Sequence, residues 1–343
     1  MAKKLGKHTI ITEHSPSIFS FASIVSEKEG EGPLAQHFDI ISNDPMFGQD
    51  SWEQAESTMQ QQLIEYILKK SNMSPDDIDF LFAGDLLNQC TGTSYGVKNF
   101  KIPFCGLYGA CSTMAESLSI ASIFIDSNIG NRCLAMTSSH FCSAEKQYRF
   151  PVQYGSQRTP TAQWTVTGSG AIIISHNYEN LNDNPHIEAI TIGTIEDFGV
   201  TDVNNMGAAM APAAATTILN YFKDTNDSPE DFDMIITGDL GYIGSDILLD
   251  LLKRHGLDIE KNHTDCGKLI FNRETQDVHS GGSGCGCSAS VLCSYILKSL
   301  MKKTINKILF IATGALMSPT SIKQGQSIPC IAHLIKICNQ KNT

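Results

Sequence analysis

The sequence predicts an α/β fold made of two pseudo-symmetric copies of one unit, and three observations carry that prediction. A thirteen-residue phrase occurs twice, as SPDDIDFLFAGDL from Ser74 to Leu86 and as SPEDFDMIITGDL from Ser228 to Leu240, with seven identical positions. Cys111-Ser112 in GACSTMAESLSIA and Cys287-Ser288 in GCGCSASVLCSYI, 176 residues apart, each stand at the start of an apolar-periodic helix. At the same spacing Arg132 to Ser138 (RCLAMTS) corresponds to Ile308 to Gly314 (ILFIATG), a β-rich run after each helix. Asp, Pro and Gly recur in helix-to-strand turns for ordinary turn chemistry. Here the order of the paired segments is kept as well as their content, which points to duplication.

Ser51-Trp52-Glu53-Gln54 has capping-box spacing, and Trp52, Ala55, Met59, Leu63 and Ile67 mark one face of a helix running to about Lys70. Asp79 to Ala83 reads as a short buried strand and Lys101 to Gly106 as another. Cys111 to Ser127 is apolar on most sides, the mark of a helix that lies inside. Arg132 to Thr137 reads as a strand, and the long connection Ser138 to Thr165 after it has a length more usual in functional loops. Val166 to Ser175 closes a first half, residues 1–178, and the polar stretch His176 to His186 reads as the linker to a second, residues 185–343. That half reads as a strand at Ile187 to Glu196, a helix at Ala211 to Phe222 and the repeated strand at Asp233 to Thr237. A helix capped by Ser245 and stopped at Gly256 follows, and the last strand is Ile328 to Ile337. Strands and helices alternate throughout, so largely parallel sheets covered by helices are expected.

With 343 residues, 41% hydrophobic and 18% charged, the chain can bury a large core. Its apolar stretches fall short of the about 20 residues that span a bilayer. MAKKLGKHTIITEHS lacks the apolar block of a secretory signal. Eleven cysteines without such a signal suggest a reducing, cytoplasmic origin in which thiols serve as core groups, ligands or nucleophiles. A formal charge of −11, with 36 acidic and 25 basic residues, argues against nucleic-acid binding.

Cys111 follows Gly106 and Gly109 at the head of a buried helix, where free N–H groups and the macrodipole lower a thiol pKa and can bind a carboxylate or an oxyanion. The plainer alternative is a small core thiol. His263-x-x-Cys266 with His279, Cys285 and Cys287 fits no standard zinc spacing, so no metal is expected. Gly281 to Gly286 lacks the ending of a phosphate loop and reads as close helix packing. Asp85 and Asp239, one from each repeat, read as structural caps of the turns that follow them.

GACSTMAESL, the duplicated strands, the second Gly-rich helix start and the final strand, taken in this order, resemble the thiolase superfamily across nearly the whole chain. The resemblance implies a five-layer αβαβα fold with a mixed sheet in each half and Cys111 at the position of the nucleophile. AGDLLNQ, IPFCGLYGACST, TSSH, AEKQYRFP, VTGSGA, MGAAMAPAA, GGSGCGCSA and ATGALMSP are, more narrowly, similar to a family of stage V sporulation proteins. Departures from catalytic thiolases are informative. Ser283 falls where their GHPxGASG segment has histidine, Ala312 of Ala312-Thr313-Gly314 falls on their second cysteine, and Gly238-Asp239 stands where ketosynthases have a histidine. A lone cysteine lacks the base that acyl transfer requires.

The narrower resemblance implies binding of dipicolinic acid, pyridine-2,6-dicarboxylate, with or without calcium. It also implies delivery into the developing spore beside membrane-embedded subunits of the same complex, with the chain peripheral at the forespore or spore inner membrane. A planar dianion wants cations, hydroxyl or backbone donors and flat apolar walls. The candidate ligand residues are Cys111, Ser138, Ser139, His140, Arg149, Arg158, Ser283 and Thr313, with Ser138, Ser139 and His140 expected in one cavity with Cys111. No cofactor is expected. A homodimer is what the superfamily implies. Two alternatives stay open: an acyltransferase in which a coenzyme A thioester acylates Cys111 with His140 or His279 as base, and a peripheral scaffold without a ligand role.

Overall fold

Both copies of the repeated phrase fold alike, for the same local reasons. In a computed structural model, which describes residues 2–148, 158–176 and 184–339, Ser74 and Ser228 open the 3-10 turns Pro75–Asp77 and Pro229–Asp231. Each serine N–H donates to the carboxylate three residues on, at 2.7 Å in both copies. Proline sits in the first turn, where its missing N–H has no helical partner to lose. The next aspartate of each phrase ties down the start of a neighbouring strand: Asp79 accepts from the Asn131 and Arg132 amides, and Asp233 from those of Asn306 and Lys307. Identity between the copies is kept where side chains hold backbone.

The strands they lead into belong to two matching five-stranded arrays. In the first half, β1 (Ser17–Ser26), β2 (Phe80–Gly84), β3 (Phe104–Gly106), β4 (Arg132–Ser139) and β6 (Gly168–Ser175) lie in the order β3-β2-β4-β6-β1, with the short strand β5 (Trp164–Thr165) outside. In the second, β7 (His186–Thr191), β8 (Met234–Thr237), β9 (His263–Asp265), β11 (Lys307–Ala315) and β12 (Cys330–Cys338) lie as β9-β8-β11-β12-β7, and β10 (Gly282–Ser283) pairs with β5. The first three strands of each array are parallel, and the last two are antiparallel to their neighbours. The expectation of largely parallel sheets holds for only part of each array, because β4 to β6 and β11 to β12 turn back rather than cross over. Among the described residues a single bridge, His186 to Ser17, joins the arrays edge to edge.

Five layers follow from which faces are apolar. Between the arrays run α3 (Thr113–Asp126) and the helix that begins as α7 (Cys285–Val291), passes through a π turn at Leu292–Ile296 and ends at Leu297–Met301. Each of the two packs on strands of both arrays and on the other. Met114, Leu118, Ile125, Leu292 and Ile296 there meet Phe82, Ile172, Phe310 and Ile335, all of them buried. Outside the first array, α1 (Trp52–Lys70) buries Met59, Leu63 and Ile67 against Leu81, Leu134 and Ile173. Outside the second, α5 (Met206–Asp224) covers β11 and β12, with α6 (Gly241–Arg254) packed on α5. On the first half α2 (Thr91–Val97) and α4 (Phe141–Tyr148) pack against α1.

Several boundaries differ from the sequence reading. The helix expected from Ala211 begins at Met206 and carries Pro212 inside it. Ser245 is an interior residue of α6, not its cap; the helix starts at Gly241, whose φ of +65° suits glycine. The stop at Gly256 stands, at φ +79°, with Leu257 N–H returning to the Leu252 carbonyl in 3.0 Å. The strand expected to Glu196 ends at Thr191. Most of the expected linker, 177–183, lies outside the described residues, as does part of the long connection.

Leu118, fully buried between the arrays, tests the layer scheme. Leu118→Ala is expected to cost about 2–5 kcal/mol in urea unfolding, while Ile129→Ala, at a residue 57% exposed, is expected to stay within about 0.5 kcal/mol.

Candidate functional site

Cys111 lies in the 3-10 turn Ala110–Ser112 that heads α3. The turn is tight: Ala110 has φ +49°, and the Ser112 and Thr113 hydroxyls donate back to the Gly109 and Ala110 carbonyls. From the other half, β11 runs so close that a Cβ on Gly314 would sit 2.1 Å from the Gly109 carbonyl oxygen. Strained backbone at a non-glycine residue persists only where its surroundings hold it.

The carboxylate of Asp239 lies close enough to the Cys111 thiol for each to shift the other's titration. That carboxylate is a hub. Its Oδ1 accepts from Thr313 Oγ1 at 2.7 Å, and its Oδ2 from the Gly284 amide at 2.9 Å and Ser283 Oγ at 3.3 Å. Gly284 stands at φ +98°, and a Cβ there would meet Ser139 Oγ at 2.7 Å, so only glycine lets its amide reach the hub. Behind it Asp265 holds the loop, accepting from Thr237 Oγ1 (2.6 Å) and from the Leu240 and Gly241 amides (2.9 Å each). Gln163 donates to the Asp239 and Gly282 carbonyls at 2.7 and 2.8 Å.

These contacts set the charge of the thiol. Burial pushes the Cys111 pKa well above the ordinary range, and the negative Asp239 beside it pushes further. The helix-head position suggested a lowered pKa; the carboxylate and the loss of solvent outweigh the dipole. Burial likewise raises Asp239, and raises Asp265 to about 7.

A narrow cavity of about 50 Å³ opens onto Cys111 and Ser283. Its walls are apolar, from Leu86, Ala144, Met206, Met210 and Met317, with Thr165 and Glu145 on one side. Tyr108 and Tyr148 also line it, their hydroxyls 2.8 Å apart, and Tyr148 donates to the Leu86 carbonyl. No lysine, arginine or histidine stands among its described lining residues.

The expected ligand residues thus divide. Cys111, Ser283 and Thr313 are brought together on Asp239. Ser138, Ser139 and His140 are fully buried but do not line this cavity, contrary to expectation, because each is bonded elsewhere. Ser138 Oγ donates to Glu56 at 2.9 Å and accepts from Gln60 at 2.5 Å. Ser139 Oγ donates to the Val166 carbonyl (2.7 Å) and accepts from the Gly286 amide (3.0 Å). His140 Nε2 lies 2.8 Å from the Pro45 carbonyl. Arg158 stacks 4.9 Å over Trp164 and donates to the Gln163 carbonyl, so it braces the residue that bonds the Asp239 loop. Arg149 lies outside the described residues. His279 is at the surface, 2.6 Å from the Thr159 carbonyl and 2.8 Å from Asp277.

Asp239 was read as a turn cap, and it is the center of the site. Asp85, its repeat partner, does cap its turn, accepting from the Leu87 and Thr93 amides at 2.8 and 2.6 Å. Asp85 lies beside Glu56, and burial followed by repulsion from Asp85 pushes Glu56 up to about 8. The cavity residues missed in the sequence, Tyr108, Tyr148, Met206 and Met210, stand inside segments already singled out. Methionines at helical spacing look like ordinary core, which hid their role. Among the described residues no group of three or more His, Cys, Asp or Glu is arranged to hold a metal ion.

The family model for stage V sporulation protein AD matches residues 6–338. Stage V sporulation protein AD of Bacillus subtilis (strain 168) is 45% identical over 331 residues, covering 96% of each chain. Among solved structures, OleA of Xanthomonas campestris superposes with a TM-score of 0.60 at 13% identity, covering 96% of this chain and 99% of that one. The 3-oxoacyl-[acyl-carrier-protein] synthase III of Aquifex aeolicus VF5 gives 0.58 at 10% identity, with 94% and 99% covered. These two show the thiolase-like fold.

Removing the charge beside the thiol is expected to free it. Asp239→Asn, which removes the charge and keeps one of the two acceptor oxygens used by Thr313 and Gly284, is expected to raise the iodoacetamide alkylation rate of Cys111 at mildly alkaline pH by roughly tenfold; an unchanged rate would mean that Asp239 does not govern it. Glu56 gives a second test. Its folded pKa, about 8, exceeds the ordinary 4.5, so the folded state holds an extra proton between those values. Its contribution to stability is full below about 4.5 and is lost as pH rises towards 8. Glu56→Gln is therefore expected to flatten the fall in urea midpoint across that window.

Proposed function

The chain belongs to the stage V sporulation protein AD family, and from that premise we propose that it is a non-catalytic binding protein for dipicolinic acid, serving uptake of that acid into the developing spore. One observation carries the reading. The described lining of the cavity at Cys111 holds no imidazole, and a buried carboxylate lies near the thiol, which supports binding over acyl transfer. Leucine, alanine and methionine side chains line the cavity together with Tyr108, Tyr148, Thr165 and Ser283, a largely apolar lining with a few hydroxyls of the kind an aromatic ring takes.

Charge decides the form of the ligand. Glu145 lines the cavity and Asp239 lies behind Cys111, while no cation is among the described lining residues. A bare dianion would meet these carboxylates unfavourably. Neutralisation by calcium in the complexed ligand or by protonation makes entry favourable. The chain would act as the peripheral component of a membrane complex at the forespore or spore inner membrane, beside membrane-embedded subunits, and as a homodimer when free. No described helix is long and apolar enough to cross a membrane.

A second reading has one observation in its favour: a cysteine at a strained helix head, open to a cavity, on a fold shared with condensing enzymes. In that reading a coenzyme A thioester acylates Cys111. Intact-mass analysis after incubation with acyl-coenzyme A separates the two, since an adduct on Cys111 that turns over belongs only to the enzyme.

Isothermal calorimetry with dipicolinate, with and without calcium, tests the binding claim. Saturable heat is expected in at least one arm, weakened roughly tenfold by Tyr148→Phe combined with Ser283→Ala. No saturable heat in either arm would remove the proposal.

A further inference from the structure

Between β7 and α5 the chain makes a loop, residues 192–205, that is fixed and yet apolar at its surface. Ile195 and Phe198 are 62% and 65% exposed, and Ile192 is 38% exposed. Four hydrogen bonds pin the backbone and one side chain beneath them. Glu196 and Cys330 exchange two main-chain bonds of 2.8 and 2.7 Å, the Ile328 amide donates to the Val200 carbonyl at 2.8 Å, and Ser327 Oγ donates to Asp197 at 2.6 Å. Scattered surface apolar residues need no explanation, but neighbouring large ones held outward by a fixed backbone mark an interaction surface. The frame around them is acidic: Glu196, Asp197 and Asp202 lie in the loop, and from Ile187 to Phe222 the sequence has no lysine, arginine or histidine.

We propose that this loop docks a protein segment whose apolar face is flanked by lysine or arginine, such as a basic amphipathic helix. Ile195 and Phe198 supply the buried center of the contact and the carboxylates the complementary rim. The same carboxylates work against an anionic bilayer, whose surface attracts basic segments and repels acidic ones. The loop leads directly into α5, whose Met206 and Met210 line the cavity at Cys111, so an occupant sits next in the chain to a cavity wall. This surface stands apart from the dipicolinate reading and does not need it.

The probes are a synthetic leucine–lysine amphipathic helix, its leucine–glutamate counterpart, and phosphatidylglycerol vesicles, each titrated against the full chain by fluorescence anisotropy or co-sedimentation. The leucine–lysine helix is expected to bind saturably, to weaken roughly tenfold or more in Ile195→Ser combined with Phe198→Ser, and to keep its affinity in Ile129→Ser. Glu196→Lys is expected to weaken it as well, which keeps the test open should the double variant lose its fold. Equal binding to the double variant, or equal binding of the glutamate helix, would overturn the proposal. Vesicle binding that disappears in the double variant would overturn it in favour of a lipid surface.

Discussion

The buried carboxylate of Asp239, held near Cys111, is the constraint on which the rest of the site depends. Two halves of the chain meet there: a helix head from the first and, from the second, a strand-end loop, a Gly-rich helix start and the last residues of β11. Asp239 satisfies Thr313, Ser283 and the Gly284 amide at once. An unpaired carboxylate at this depth would be costly, so each donor is needed. The same arrangement holds Ser283, which lines the cavity, and pushes the thiol pKa up.

Duplication explains how such a hub arises. The two phrases keep the residues that hold backbone, Ser74 with Asp77 and Asp79, and Ser228 with Asp231 and Asp233. They diverge in use at the final aspartate. Asp85 turns back on its own loop, whereas Asp265 takes over that task in the second half and leaves Asp239 to face Cys111. Of the positions compared with thiolases, Ser283 donates to the carboxylate of Asp239, as does Thr313 next to Ala312.

Much of this was legible in the sequence, because the repeat and the helical and strand periodicities are local signals. The α1 boundaries, the buried character of α3 and the Gly256 stop follow from spacing alone. Other features depend on contacts distant in the chain. Nothing local says that Asp239 and not Asp85 faces the thiol, since both close the same phrase. Ser138 and Ser139 end β4 and His140 follows it, yet Ser138 is bonded to Glu56, Ser139 to the Val166 carbonyl and His140 to the Pro45 carbonyl, partners distant in the chain that draw their polar groups away. The start of α5 was hidden by Pro212, which as a rule marks a helix beginning and here lies inside one.

Everything said of function turns on whether Cys111 is a neutral thiol in a binding cavity. The direct measurement is a pH titration of thiolate ultraviolet absorbance, taken as the difference between the protein and Cys111→Ala. A neutral thiol held on Asp239 gives no difference signal until well above the roughly 8.5 of a free cysteine. A difference that appears at or below neutrality would make Cys111 an activated nucleophile and contradict the binding-only cavity.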